Sequence, residues 1–158
     1  MKQLLTLFLF LLVSKMYCQE KTNLIGKWQA VIVESKDFYL NAKTDSISLS
    51  EKRQKLYPNK IAKQDEFAHL RSNYSKNTFI FTEKEEFYFY LTDRLIAPIF
   101  KGSYSVEAPD KIQLDIVNRA NISLKKQANF YFENNLLYLT MYLETNSPIK
   151  YILERVKE

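Results

Sequence analysis

From Asn77 to the end of the chain, apolar residues return at every second position. Phe79 and Phe81 alternate with Thr78 and Ile80, and Phe87, Phe89 and Leu91 with Tyr88 and Tyr90. Ile99 to Glu107 makes a further strand after Pro98; Ile112, Leu114 and Ile116 follow, then Phe130 and Phe132 after a polar link. Leu137, Leu139, Met141 and Leu143 come next, then Ile149, Tyr151 and Leu153. A period of two is the signature of half-buried β-strands. The breaks between runs carry turn chemistry: Glu83-Lys84-Glu85, Thr92-Asp93, Pro109-Asp110, Asn134-Asn135 and Asn146-Ser147-Pro148. Proline pre-sets φ for a turn, and asparagine tolerates positive φ in a two-residue hairpin. With residues 24–35 as a further strand, the count is about eight, joined mostly by short connections. A meander of that size closes into an up-and-down barrel and so loses its exposed edges. Strands and helices do not alternate, which argues against a parallel α/β fold.

The interval between the first strand and the meander reads differently. Residues 36–48 look polar and irregular, and residues 48–77 look helical. Ser50 is a candidate cap, Pro58 should interrupt the helix, and a second helix from about Asn59 to Ser72 places Phe67, Leu70 and Tyr74 on one face. The expected fold is therefore all-β, an antiparallel barrel of about eight strands with one or two helices inserted after the first. The helical segment at 48–73 could be a lid over the barrel mouth or a surface helix packed on the wall through Phe67 and Leu70.

Composition suits this reading. Aromatic residues make up 15% of the 158 residues, with 11 Tyr and 11 Phe, and aromatics favour pleated surfaces. Residues 1–18 read as a signal peptide: Lys2, then an apolar run from Leu4 to Val13, too short to span a membrane. Residues 19–158 then form the domain, without a transmembrane segment, and the expected location is outside the cytoplasm: periplasm, cell envelope or medium. Cleavage after Cys18 removes the single cysteine, and with it any disulfide, thiolate nucleophile or cysteine metal site. In the other option Cys18 carries a lipid. The net charge of +5 comes from scattered lysines, with no basic block of the kind that marks nucleic-acid binding.

Chemistry-bearing motifs are few. His69 is the sole histidine and reads as a solvated helix side chain. Glu83, Glu85 and Glu86 read as a solubilising hairpin tip rather than a catalytic carboxylate pair. No G-x-S-x-G, S-x-x-K, H-E-x-x-H or phosphate loop occurs, and two glycines leave little for a phosphate cradle. No enzyme activity, cofactor or metal is expected. Asn73-Tyr-Ser75 and Asn121-Ile-Ser123 match a glycosylation acceptor that is too common to weigh.

Gly26 and the single tryptophan, Trp28, stand two residues apart at the start of the first strand. A residue without Cβ allows a sharp turn into a barrel, and a Trp two positions on can plug its narrow end. Leu24-Ile-Gly26-Lys-Trp28, then the meander with Gly102-Ser-Tyr104, then Tyr151-Ile-Leu-Glu-Arg155, resembles the lipocalin-like proteins exported by bacteria. The resemblance implies a cup sealed by Trp28, with the basic Arg155 packed on it, and a small apolar ligand inside. The helical insertion and the missing disulfide depart from the usual pattern. Phe79, Phe81, Phe87, Phe89, Tyr104, Leu139 and Met141 are the candidate inward set, lining a cavity or filling a core. Two functions follow: binding of a small apolar molecule, or a filled barrel that docks on a protein partner of the cell envelope.

Overall fold

The computed structural model describes residues 22–142 and 147–157; the leader, Cys18, Leu143 and Asn146 lie outside them. Ten strands are present: β1 (Gly26–Glu34), β2 (Phe38–Asn41), β3 (Ser46–Leu49), β4 (Thr78–Phe81), β5 (Glu86–Tyr90), β6 (Phe100–Ala108), β7 (Lys111–Asn118), β8 (Ser123–Glu133), β9 (Leu136–Met141) and β10 (Ile149–Arg155). Two helices, α1 (Glu51–Gln54) and α2 (Lys60–Tyr74), stand between β3 and β4. Strands β4 to β10 pair in sequence order, and β1 pairs with both β4 and β10, which closes an antiparallel barrel of eight strands.

β1 has a divided edge. Gly26–Gln29 pair with β4, and Ile32–Glu34 pair with β2, while the other edge follows β10 along its length. Residues 36–48 are thus a short hairpin rather than irregular chain. Phe38 and Leu40 of β2 are buried, but four-residue strands are too short to display a period. The turn is built locally: the Asn41 Oδ1 accepts from the Lys43 and Thr44 N–H groups, and Asp45 takes a φ of 53°. The polar link before Phe130 is also strand. Lys126 breaks the apolar alternation there, yet β8 pairs with β7 from Ser123 on, and Lys125 faces Asp115 with 3.6 Å between Nζ and Oδ1.

The helices begin where the sequence places them. The Ser50 Oγ accepts from the Arg53 N–H at 3.2 Å, and the Asn59 Oδ1 accepts from the Ala62 N–H at 2.8 Å. α2 buries Leu70 against the core, with Phe67 and Tyr74 partly buried beside it, and the Tyr74 ring lies 4.8 Å from Phe38. Glu66 ties α1 to α2. Its Oε1 accepts from the Arg53 Nε and Nη2 (3.1 and 2.7 Å), and its Oε2 from the Tyr57 hydroxyl (2.7 Å). Burial alone would raise the Glu66 pKa; the bonds from Tyr57 and Arg53 outweigh it and hold the carboxyl below its ordinary value.

The inward faces meet in one aromatic core. Phe79 stacks on Phe89 at 4.7 Å, Phe79 and Phe89 contact Tyr151, and Phe81 packs on Phe87 and Tyr104. The turns fit their residues: Asn134 and Asn135 have φ of 51° and 64°, as a type I′ hairpin requires, and Glu85 has a φ of 62°.

Candidate functional site

Register places the two ends of the barrel. One end holds Gly26, the turns at 83–85, 109–110 and 134–135, and the end of β10 at Arg155. The other holds the α2–β4 junction, the β5–β6 and β7–β8 connections, and the ends of β9 and β10 at Met141 and Ile149.

The first end is sealed. Trp28 is buried, and its indole Nε1 donates to the Leu24 carbonyl at 2.9 Å. The Phe132 ring lies 5.9 Å from it. The Arg155 guanidinium lies 4.6 Å from the Trp28 ring centroid and donates to the Asn23 carbonyl. Gly26 has a φ of 142°, a conformation that side chains resist, and the Arg155 Nη1 would lie 3.4 Å from any Cβ placed there. Outside the plug lies an open surface pocket of about 620 Å³, lined by Trp28, Phe132, Glu133, Arg155 and Lys157 among others.

The second end is a mouth with a pocket of about 440 Å³, within the range of small-molecule sites. Its apolar surface comes from Phe89, Phe100, Leu91, Ile99 and Ile149, and Tyr74 and Tyr151 add their rings. The polar contributors are Asn73, Asn77 and Ser147. Among the described residues no charged side chain lines it.

Asn77 sets the chemistry of the pocket. It follows the last turn of α2 and precedes β4. Its N–H donates to the Tyr74 carbonyl at 3.3 Å, and its carbonyl accepts from the Ala30 N–H at 2.9 Å. The backbone is therefore fixed from both sides. The residue is fully buried, yet among the described residues neither Nδ2 nor Oδ1 of its side chain has a hydrogen-bond partner. Such an orphaned amide costs about 1–3 kcal/mol, and native proteins keep few of them. Sequence reading passed over Asn77. An asparagine between helix and strand reads as a turn residue, and only the tertiary arrangement buries it.

The seven inward candidates are all buried in the core. Only Phe89 lines the mouth pocket. Phe81, Phe87 and Tyr104 cluster towards the sealed end, where the Tyr104 hydroxyl donates to the Thr82 carbonyl at 3.1 Å. Burial, then the charge of Glu85, raises the Tyr104 pKa. Phe79 supports Phe89 from below, and Leu139 and Met141 lie in the core. Gly102 has a packing role: a Cβ there would lie 2.0 Å from the Asp115 carbonyl oxygen of β7.

The other candidates stay apart from the pocket or at its margin. His69 is exposed on α2, with a ring nitrogen 3.0 Å from the Asn73 Nδ2. Glu83 and Glu85 are exposed at a hairpin tip at the sealed end, with Glu86 half-buried beside them. Among the described residues no cluster of three or more metal-ligating side chains occurs, and no helix is long and apolar enough to cross a membrane.

No family model, curated protein or solved structure matches the chain. Its class is accordingly the one that fold and geometry define: a closed eight-stranded antiparallel barrel, sealed by a tryptophan at one end and pocketed at the other.

Proposed function

We propose that the protein is a lipocalin-like, non-enzymatic carrier that holds a small, mostly apolar molecule in the mouth pocket, and that residues 1–18 direct its export. The mouth pocket carries the proposal: an apolar surface of aromatic and aliphatic side chains with a few polar groups among them, the buried residues Asn77 and Tyr151 included, the usual composition of a small-molecule site. The sealed Trp28 end supports it, because a cup needs one closed end. The lining offers hydrophobic surface, the Asn73 and Asn77 amides and the hydroxyls of Tyr74, Tyr151 and Ser147, and among the described residues it holds no carboxylate, imidazole or amine. The leader-like start of the chain supports export, with lipidation at Cys18 as the variant outcome.

Native mass spectrometry of protein purified from its own host tests the binding reading. A retained small molecule is the expected result. A consistently empty barrel that also takes up no fatty acid and no fluorescent apolar probe would overturn it. Mass analysis of the mature N-terminus tests export: a start near residue 19 is expected, and an intact Met1 in the host would contradict it.

A second reading draws on the outer wall, where Tyr131 and Tyr138 stack at 4.5 Å and 10° on neighbouring strands, with Tyr131 exposed. Exposed aromatic pairs suit protein docking. This reading gains if the barrel proves empty.

A further inference from the structure

The side chain of Asn77 has two unsatisfied groups of opposite character. Nδ2 can only donate, and Oδ1 can only accept. They are fully buried, and Asn77 is one of the residues around a pocket whose other lining is mostly rings and aliphatic carbons, with Asn73, Ser147 and the Tyr74 and Tyr151 hydroxyls as its further polar groups. Its N–H and carbonyl are both bonded to neighbouring elements, so the backbone holds the residue in this buried place. Among the described residues nothing satisfies its amide.

The shape of that need narrows the ligand. A carboxylate accepts hydrogen bonds but offers none, so it would serve Nδ2 and face Oδ1 lone pair to lone pair. It would also bring a charge to a lining with no cation among its described residues, and an unpaired buried charge is costly. An ester or a ketone has the same one-sided chemistry without the charge. A carboxamide presents N–H beside C=O and can bond both atoms of the Asn77 side chain at once. Building on the binding reading above, we infer that the mouth pocket takes a neutral amphiphile whose head is a carboxamide or an equivalent adjacent donor–acceptor pair. The head pairs with Asn77, and the apolar tail lies along Phe89, Phe100, Ile99 and Ile149.

Three probes of equal chain length separate the possibilities: decanamide, methyl decanoate and decanoate, measured by competition against a fluorescent apolar probe at neutral pH. Decanamide should bind about tenfold tighter than methyl decanoate, as one further buried hydrogen bond allows, and decanoate should bind weakest. The Asn77→Leu protein should still bind the apolar probe but lose the preference for the amide. Decanoate or methyl decanoate binding as tightly as decanamide to the unaltered protein would overturn the inference. So would an amide preference that survives in Asn77→Leu, which is the result expected if a buried water alone satisfies Asn77. The ranking on the unaltered protein decides the matter should the variant fail to fold. If the apolar probe binds but the ranking is flat, the head-group inference fails and the carrier reading stands. If neither the apolar probe nor any of the three binds, both fail.

Discussion

The two ends of the barrel solve opposite problems with similar materials. At the sealed end three polar groups have partners on this chain: the buried Trp28 indole has Leu24, the Tyr104 hydroxyl has Thr82, and at the exposed rim the Arg155 guanidinium has Asn23 and the Trp28 ring. At the mouth the Asn77 amide is as deeply buried and has none. Burial is therefore not what separates the two ends. Completion is. A buried polar network that is fully satisfied stabilises and fixes a fold; one left incomplete is costly for the free protein and is the place where an outside molecule can contribute most.

That contrast can be broken most forcefully at Trp28. Trp28→Ala should cost about 3–5 kcal/mol in chemical denaturation, as removal of a large core aromatic does, while the folded fraction keeps its affinity for an apolar probe. Unchanged stability with lost binding would put the ligand at the wrong end. Gly102→Ala should cost about 3 kcal/mol, the upper range for overpacking. The added Cβ meets backbone atoms of β7 at 2.0 and 2.8 Å, which cannot swing aside as a side chain can. Thermal melts would measure this, and a neutral result would mean that β6 and β7 separate without penalty.

The helical clip sharpens the comparison, because α2 leads directly into Asn77. Glu66→Gln should cost about 2 kcal/mol at neutral pH through weakened charge-assisted bonds to Arg53 and Tyr57. The native Glu66 pKa is depressed. Its contribution is therefore present above the ordinary carboxylate pKa and is lost as pH falls through the lower native value. The gap between wild type and Glu66→Gln should close over that acidic window. A gap constant down to low pH would show that the carboxylate is not the stabilising species. The smallest expected effect has the opposite sign. Asn77→Leu should stabilise the ligand-free protein by about 1 kcal/mol, since it removes an unsatisfied amide. A loss of that size would mean the amide has a partner in the free protein.

The sealed end was legible in the sequence and the mouth was not, for a physical reason. Gly26 and Trp28 are two residues apart, so their roles follow from local geometry, and the alternating runs from Phe79 to Leu153 mark the strands while leaving open which face of each turns inward. The pocket is assembled from α2, the α2–β4 junction, β5, the β5–β6 connection, β6, Ser147 and β10, and no short pattern links Tyr74, Asn77, Phe89, Ile99 and Tyr151. The β2–β3 hairpin escaped because its strands are four residues long. The first half of β8 escaped because Lys125, Lys126 and Gln127 hide its alternation.

The claim that the barrel has one sealed end and one receptive end is tested most directly by solution NMR. The chain has a single tryptophan, hence one indole N–H resonance, and that proton sits at the sealed end. On titration with decanamide, the Asn77 side-chain amide and the backbone amides of Phe89, Ile99 and Ile149 should shift, while the Trp28 indole resonance stays in place. A shifted indole with an unmoved Asn77 amide would contradict the account.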